Sequence, residues 1–288
     1  MAVAVIGAGV AGDRIRGDSF RGENGGGAGR GWSARVALLL LTGVLALVSG
    51  CVTTNAPGSK PKPKIDKEKA LQTYIQLGIG YLSKKNRESA RYHFNKAFEI
   101  DRNAPGAHNG MALLYKLEGE PELAEKHFRR AIRVNPRFSQ AHNNYGSFLY
   151  SRERYKEAYK HFKLAADDIG YDRRPIALAN LGRAALRLDR VERAKAVFEH
   201  SLSLDNRLSM ALVELADIYF QEQDYAAAKR HLDQFARVAP QTPRTLWLGI
   251  RIERIFGNKD KEASYALALR NLHRYSREYL EYQKALKN

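Results

Sequence analysis

The chain has 288 residues, 44% of them hydrophobic, and a single cysteine; it can bury a sizeable core, and one cysteine excludes an intramolecular disulfide framework and any CxxC metal or redox site. The formal net charge is +17, of which residues 1–50, with five Lys/Arg against three Asp/Glu, carry only +2. The remaining +15 is compatible with an anionic membrane surface, an acidic protein partner or nucleic acid.

The first motif in chain order is Gly7-x-Gly9-x-x-Gly12 within AVIGAGVAG. A dinucleotide site would need a helix directly after it, a second strand and an acidic residue about 20 positions on. The next residues, DRIRGDSFRGENGGGAGRG, cannot form a packed helix, so the plainer reading is an over-long n-region from a misassigned start. Residues 36–48, VALLLLTGVLALV, are thirteen residues without a charge behind Arg30 and Arg35. A spanning helix takes about 20 residues; this run suits the h-region of a secretory signal instead.

The run leads into Val48-Ser49-Gly50-Cys51, which resembles the lipobox of bacterial lipoproteins. The resemblance implies a diacylglycerol thioether on Cys51, cleavage before it and acylation of the new amine. No side chain but a thiol forms that linkage, and several acyl chains anchor stably where one binds only marginally. Val52, where an Asp would signal retention, implies by the same resemblance an outer-membrane, periplasm-facing location. Residues 1–50 are thus read as a signal peptide, and 51–66 as the lipidated cysteine with a linker whose Pro57, Pro61 and Pro63 are interleaved with lysines. Such a linker is an extended, self-repelling spacer.

From Leu71 the sequence repeats with a period of 34. Counting Leu71 as position 1 puts Tyr74, Leu77, Gly78, Tyr81, Ala90, Phe94 and Ala97 at positions 4, 7, 8, 11, 20, 24 and 27. The same slots recur in units near 71–104, 105–138, 139–174, 175–208 and 209–242, the third being two residues long through DDIGYDRRP. A sixth is read at 244–277, with Trp247, Ile250, Ala263 and Leu267 in its apolar slots. This is the tetratricopeptide pattern. Positions 4, 7, 8 and 11 make one helical stripe and 20, 24 and 27 a second, predicting helix A and helix B of an antiparallel hairpin. Positions 8 and 20, Gly or Ala in the first five units, are expected to face each other at the closest approach. Residues 67–288 are therefore read as an all-α superhelix of about six hairpins sharing a continuous core.

Chemistry is sparse. His93, His127, His161 and His231 share position 23, and His108 and His142 share position 4. Equivalent positions in successive repeats lie about 10 Å apart, too far for one metal ion with bonds of roughly 2 Å, so no metal is expected. No GxSxG, HExxH or P-loop occurs, and the expectation is a non-enzyme without cofactor or small-molecule substrate. The candidate site is the face of the A helices. Positions 2, 5, 6, 9, 12 and 13 supply Asn109, Asn143, Asn144, Tyr150, Asn180, Arg183, Leu186 and Phe220, with Arg187, Met210 and Asp217 beside them. Amides offer donors and acceptors to a peptide backbone, and Arg183, Arg187 and Tyr150 favour an acidic or aromatic-bearing segment. The alternative that these side chains are merely solvated stays open.

Residues 141–168 (AHNNYGSFLYSRERYKEAYKHFKLAADD), the connection ending RRPIALANLGRAALRL and residues 245–270 (TLWLGIRIERIFGNKDKEASYALALR) resemble the type IV pilus biogenesis/stability lipoproteins, the pilotins of the pilus secretin. The resemblance implies six repeats, lipid on Cys51 and a role in secretin localisation and multimerisation. Arg102 departs from the proline usual at position 32. The partner so implied is the secretin subunit, with the membrane reached through the lipid and no nucleic acid bound. The runner-up is another envelope scaffold, such as one recruiting peptidoglycan enzymes.

Overall fold

The computed structural model describes residues 66–287; the segment read as a signal peptide, Cys51 and the residues read as a linker lie outside the described residues. Thirteen helices follow one another there and form six hairpins and a final helix. Hairpin 1 is α1 (Lys67–Ser83) with α2 (Arg87–Ile100), hairpin 2 is α3 (Pro105–Glu118) with α4 (Pro121–Val134), and hairpin 3 is α5 (Ser139–Ser151) with α6 (Tyr155–Asp167). Hairpin 4 is α7 (Arg174–Leu186) with α8 (Val191–Leu204), hairpin 5 is α9 (Ser209–Gln221) with α10 (Tyr225–Val238), and hairpin 6 is α11 (Pro243–Ile255) with α12 (Lys259–His273). The last helix, α13 (Arg277–Ala285), packs on α11 and α12. Among the described residues no helix is long and apolar enough to cross a membrane.

Each hairpin closes the same way. Lys85, Gly119, Glu153, Asp189, Gln223 and Gly257 take φ between 55° and 81°, the left-handed conformation that ends a helix. In most of these turns the next N–H then reaches back to the carbonyl of position 11, as Arg154 N does to Leu149 O at 3.0 Å and Arg190 N to Ala185 O at 3.0 Å. The first two connections between hairpins are Asx turns: Asp101 Oδ1 accepts from Asn103 N at 2.8 Å, and Asn135 Oδ1 from Arg137 N at 3.0 Å. Asp101 therefore sets the first connection, and Arg102 is accommodated where a proline would otherwise fix the bend.

The left-handed residues also measure the repeat. They fall at 85, 119, 153, 189, 223 and 257, so every step is 34 except the one of 36 across the third connection. The sequence spacing predicts a sixth unit from 244; Gly257 sets its first residue at 243 instead. Its core residues include Leu246, Leu248, Ile250, Ile252 and Leu269, all at most 1% exposed. Of the residues expected there besides Ile250, Leu267 is exposed, Ala263 lies outside that cluster and Trp247 is half-buried, its ring edge-on to Tyr282 of α13. Counted from 243, Ile250 and Glu262 stand at positions 8 and 20, which are Gly or Ala in the first five units.

A ring also stands at the closest approach of the two helices. A Cβ built on Gly78 would stand 2.4–2.8 Å from the Phe94 ring, and one on Gly182 would stand 2.6–2.9 Å from the Phe198 ring. Gly146 meets Phe162 at 2.8 Å in the same way. The atoms nearest to a Cβ at position 8 thus belong to a ring sixteen residues later, at position 24. In hairpin 6 the same pair sits one slot earlier, where Gly249 meets Tyr265 at 2.7 Å. Phe94, Phe128, Phe162 and Phe198 are at most 2% exposed and lie in the cores that run from hairpin to hairpin.

The backbones of A-helices pack on the A-helices of neighbouring hairpins, whereas among the described residues no two B-helix backbones come as close, and Lys261 of α12 reaches Asp233 of α10 by its long side chain, at 3.4 Å. The A-helices are therefore the more closely spaced, inner layer. Across the third connection α6 packs along α7 almost as extensively as partners within a hairpin do. There Arg174 Nε donates to Ala166 O at 2.8 Å, and Ser139 Oγ donates to Asp168. Gly182→Ala should lower stability by roughly 1–3 kcal/mol through overpacking against Phe198. Gly80→Ala, where a Cβ meets nothing within 4 Å, should raise it by up to about 1 kcal/mol through helix propensity. Urea titrations of both variants check the pair, and equal effects would contradict the ring assignment.

Candidate functional site

The structure divides the asparagine set from the rest of the predicted groove. Asn144 Nδ2 donates to Asn109 Oδ1 at 3.1 Å, and Asn180 Nδ2 donates to Asn143 Oδ1 at 3.0 Å. Each rung joins position 5 of one unit to position 6 of the next. Asn109, Asn143 and Asn180 are 2%, 8% and 9% exposed, and Asn144 is half-buried. An amide is both donor and acceptor, so the same residue type can satisfy itself where inner helices meet. These four side chains form a seam between hairpins 2, 3 and 4, and the part of the predicted site that is not buried is Asn144, Tyr150, Arg183, Leu186 and Phe220.

Arg183 stands over Tyr150 at 4.8 Å, Arg187 over Tyr155 at 4.2 Å and Arg190 over Tyr159 at 5.1 Å. The three arginines come from α7 and its turn, the three tyrosines from α5 and α6, so cation and ring alternate across the joint between hairpins 3 and 4. None of the three guanidinium groups has a carboxylate partner among the described residues, whereas Arg154 beside them is paired with Glu125 and Glu157 at 2.8 and 2.7 Å. Leu186 is half-buried against the cluster of Ala185 and Phe198. At the far end the arrangement of rings recurs but the charge is compensated. Arg251 stands over Phe220 at 4.5 Å and over Trp247 at 5.3 Å, with Asp217 at 4.0 Å. Arg244 binds Glu214 at 2.9 Å and also Asp217. Burial works against the Arg244 charge, and those two carboxylates outweigh it, raising its pKa. The joint of hairpins 3 and 4 therefore carries cations without a carboxylate partner among the described residues, whereas those described at hairpins 5–6 are neutralised.

The histidines form contacts that their spacing between repeats does not suggest. Rows of equivalent histidines imply isolation, yet position 4 meets position 23 within one hairpin. His108 Nδ1 and His127 Nδ1 are 3.1 Å apart, and His142 Nδ1 and His161 Nδ1 are 2.8 Å apart. His108 Nε2 lies 3.2 Å from Arg102 O and His142 Nε2 lies 3.0 Å from Pro136 O. Each Nε2–H donates to its carbonyl, which leaves Nδ1 to accept from the Nδ1–H of the partner ring. The signal is present in the sequence, since 108 with 127 and 142 with 161 share a spacing of nineteen. Among the described residues no group of three or more His, Cys, Asp or Glu is placed to hold a metal ion. Burial, followed by the paired histidine, lowers His127 and His161 to about 4.

The unfolded chain takes up protons near pH 6.5 that folded His127 and His161 refuse, so their contribution to stability is complete above pH 6.5 and is lost as pH falls toward 4. Glu125, for which burial is outweighed by hydrogen bonds from Arg154 and Tyr145, is held below the usual carboxylate range and titrates later. Thermal melts taken between about pH 7.5 and about 4.5 should show Tm falling. The fall should be smaller in the His127→Gln/His161→Gln double variant, and an identical slope would contradict the neutral pairing.

Comparison with known proteins adds relatedness to this geometry. The tetratricopeptide-repeat family matches residues 110–173, 176–207 and 211–242. The type IV pilus assembly protein PilF of Pseudomonas aeruginosa is 38% identical over 253 residues, covering 87% of this chain and 98% of that protein. A solved structure of Pseudomonas aeruginosa PilF is similar with a TM-score of 0.74, at 38% identity, covering 76% of this chain and 99% of that one. The structure of PilW, a widely conserved type IV pilus biogenesis factor, is 25% identical with a TM-score of 0.64, covering 74% of this chain and 98% of that one. Repeat register, hairpin geometry and relatedness over nearly the full length of PilF agree: the chain belongs to the PilF family of tetratricopeptide-repeat type IV pilus assembly proteins.

Proposed function

We propose that this chain is a non-enzymatic assembly factor that aids localisation and multimerisation of the pilus secretin. In this reading it is held by lipid on Cys51 at the periplasmic face of the outer membrane. The observation that carries the reading is the 38% identity to PilF across 98% of that protein. The lipobox-like Val48-Ser49-Gly50-Cys51 supports the anchorage. The uncompensated Arg183, Arg187 and Arg190, each on a tyrosine ring, supply the contact surface, and the partner segment that suits them is acidic and carries aromatic residues.

Deleting the gene should reduce secretin multimers while subunits persist. Complementation with Arg183→Ala/Arg187→Ala should restore membrane association of the chain but weaken recovery of secretin by about tenfold or more. Cys51→Ala should abolish acyl labelling and release the chain from the membrane fraction. Secretin multimers that survive deletion unchanged would overturn the reading and favour a different envelope scaffold, such as one that recruits peptidoglycan enzymes.

A further inference from the structure

Hairpin 2 carries a concavity that the proposed role does not use. It encloses about 430 Å³ and is lined by His108 of α3 and by Lys126, His127, Arg130 and Arg133 of α4. No carboxylate lines it, and none of its three cations has a carboxylate partner among the described residues. Arg130 is held by Asn103 Oδ1 at 2.6 Å, an amide that positions the guanidinium without neutralising it. Asp101, an acidic group close enough to act on His108, keeps its charge while its Oδ1 accepts from the N–H of Asn103 at 2.8 Å, and it is not among the residues that line the concavity.

The repeat supplies an internal control. Hairpin 3 builds the same histidine pair from His142 and His161, but the positions of Lys126, Arg130 and Arg133 are there Lys160, Leu164 and Asp167. Hairpin 5 has Arg230, His231, Gln234 and Arg237 there, and hairpin 1 has Tyr92, His93, Lys96 and Glu99. Packing accounts for the paired rings wherever they occur. It does not account for three unpaired cations gathered around one pair only, at a cost in mutual repulsion.

The rings are suited to join in. His108 spends Nε2–H on Arg102 O and accepts at Nδ1 from His127. His127 Nε2 is left without a hydrogen-bond partner among the described residues, and it can take a proton while its Nδ1–H bond to His108 persists. An anion in the concavity would favour that proton, whereas burial, then His108 and Lys126, disfavour it when the site is empty.

We infer that this concavity is a phosphate-binding site, with Arg130 and Arg133 as hydrogen-bonding cations, Lys126 as a point charge and His127 as a further donor. Two guanidinium forks match the geometry of a tetrahedral oxyanion better than that of a single carboxylate. The phosphate can be free or the headgroup of an anionic phospholipid, and both present the same oxygens.

The test uses the full chain carrying Cys51→Ala, so that no lipid anchor contributes. Inorganic phosphate is titrated by calorimetry, and flotation is measured with phosphatidylcholine vesicles with and without phosphatidylglycerol. Saturable phosphate binding with a Kd on the order of 1 mM is expected, weakened about tenfold or more in Arg130→Gln/Arg133→Gln. Lys160→Gln in hairpin 3 should leave it unchanged. Gain of phosphatidylglycerol vesicle binding that the double variant loses assigns the headgroup as the source, and phosphate binding without it assigns free phosphate. Absence of saturable phosphate binding overturns the proposal, as does equal binding by the double variant. An acidic peptide that binds here where phosphate does not also overturns it. Arg133 is exposed, and an unchanged melting curve for the variant excludes unfolding as the cause.

Discussion

Four rings, those of Phe94, Phe162, Phe198 and Tyr265, each lie within 3 Å of the place where a β-carbon would stand on a glycine sixteen residues earlier. That contact sets how closely two helices of a hairpin approach, and Ala112 with Phe128 and Ala216 with Leu232 keep the same spacing. A larger residue at the earlier position would push the ring off its rotamer or part the helices, and a close-packed interior absorbs neither without cost. The spacing of the inner layer depends on it. Because every hairpin closes on the same contact, successive A-helices come near enough for asparagines to bond across them and for an arginine of one to lie on a tyrosine of the previous one.

Electrostatics differ along that regular frame. Glu125, buried in part between hairpins 2 and 3, takes Arg154 at 2.8 Å, Arg129 at 2.7 Å and the Tyr145 hydroxyl at 2.8 Å. Glu253, 2% exposed, takes Lys229 and stands 3.6 Å from Lys261. These carboxylates tie neighbouring hairpins and use up local cations. At the joint of hairpins 3 and 4 and in the concavity of hairpin 2 the cations have no such partner among the described residues, and the positive charge of the chain is left to act outward.

Much of this is legible in the sequence because the repeat is a strong constraint. A 34-residue period with small residues at one slot leaves little choice of fold, and the two extra residues of the third unit appear in the structure as a step of 36 between turn residues. In the sixth unit the glycine sits one slot earlier, at Gly249, and Glu262 stands where the other units have alanine, so the pattern there is harder to place. Pattern does not sort the asparagines, since an amide that lines a groove and one that bridges two helices occupy adjacent positions. The histidine pairs escape for another reason. Comparing equivalent positions between repeats ignores contacts between unlike positions within one repeat, and only the angle between helix A and helix B brings position 4 to position 23.

The two-residue lengthening of the third connection also governs how the array comes apart. In a linear stack, stability is a sum of units and of couplings between neighbours, and the coupling is strongest where α6 lies along α7. Opening then proceeds from the ends, and hairpins 3 and 4 are the last to separate. The arginine and tyrosine stack sits on that joint, so a partner meeting it finds a surface already rigid, and little of its binding energy goes into ordering the protein.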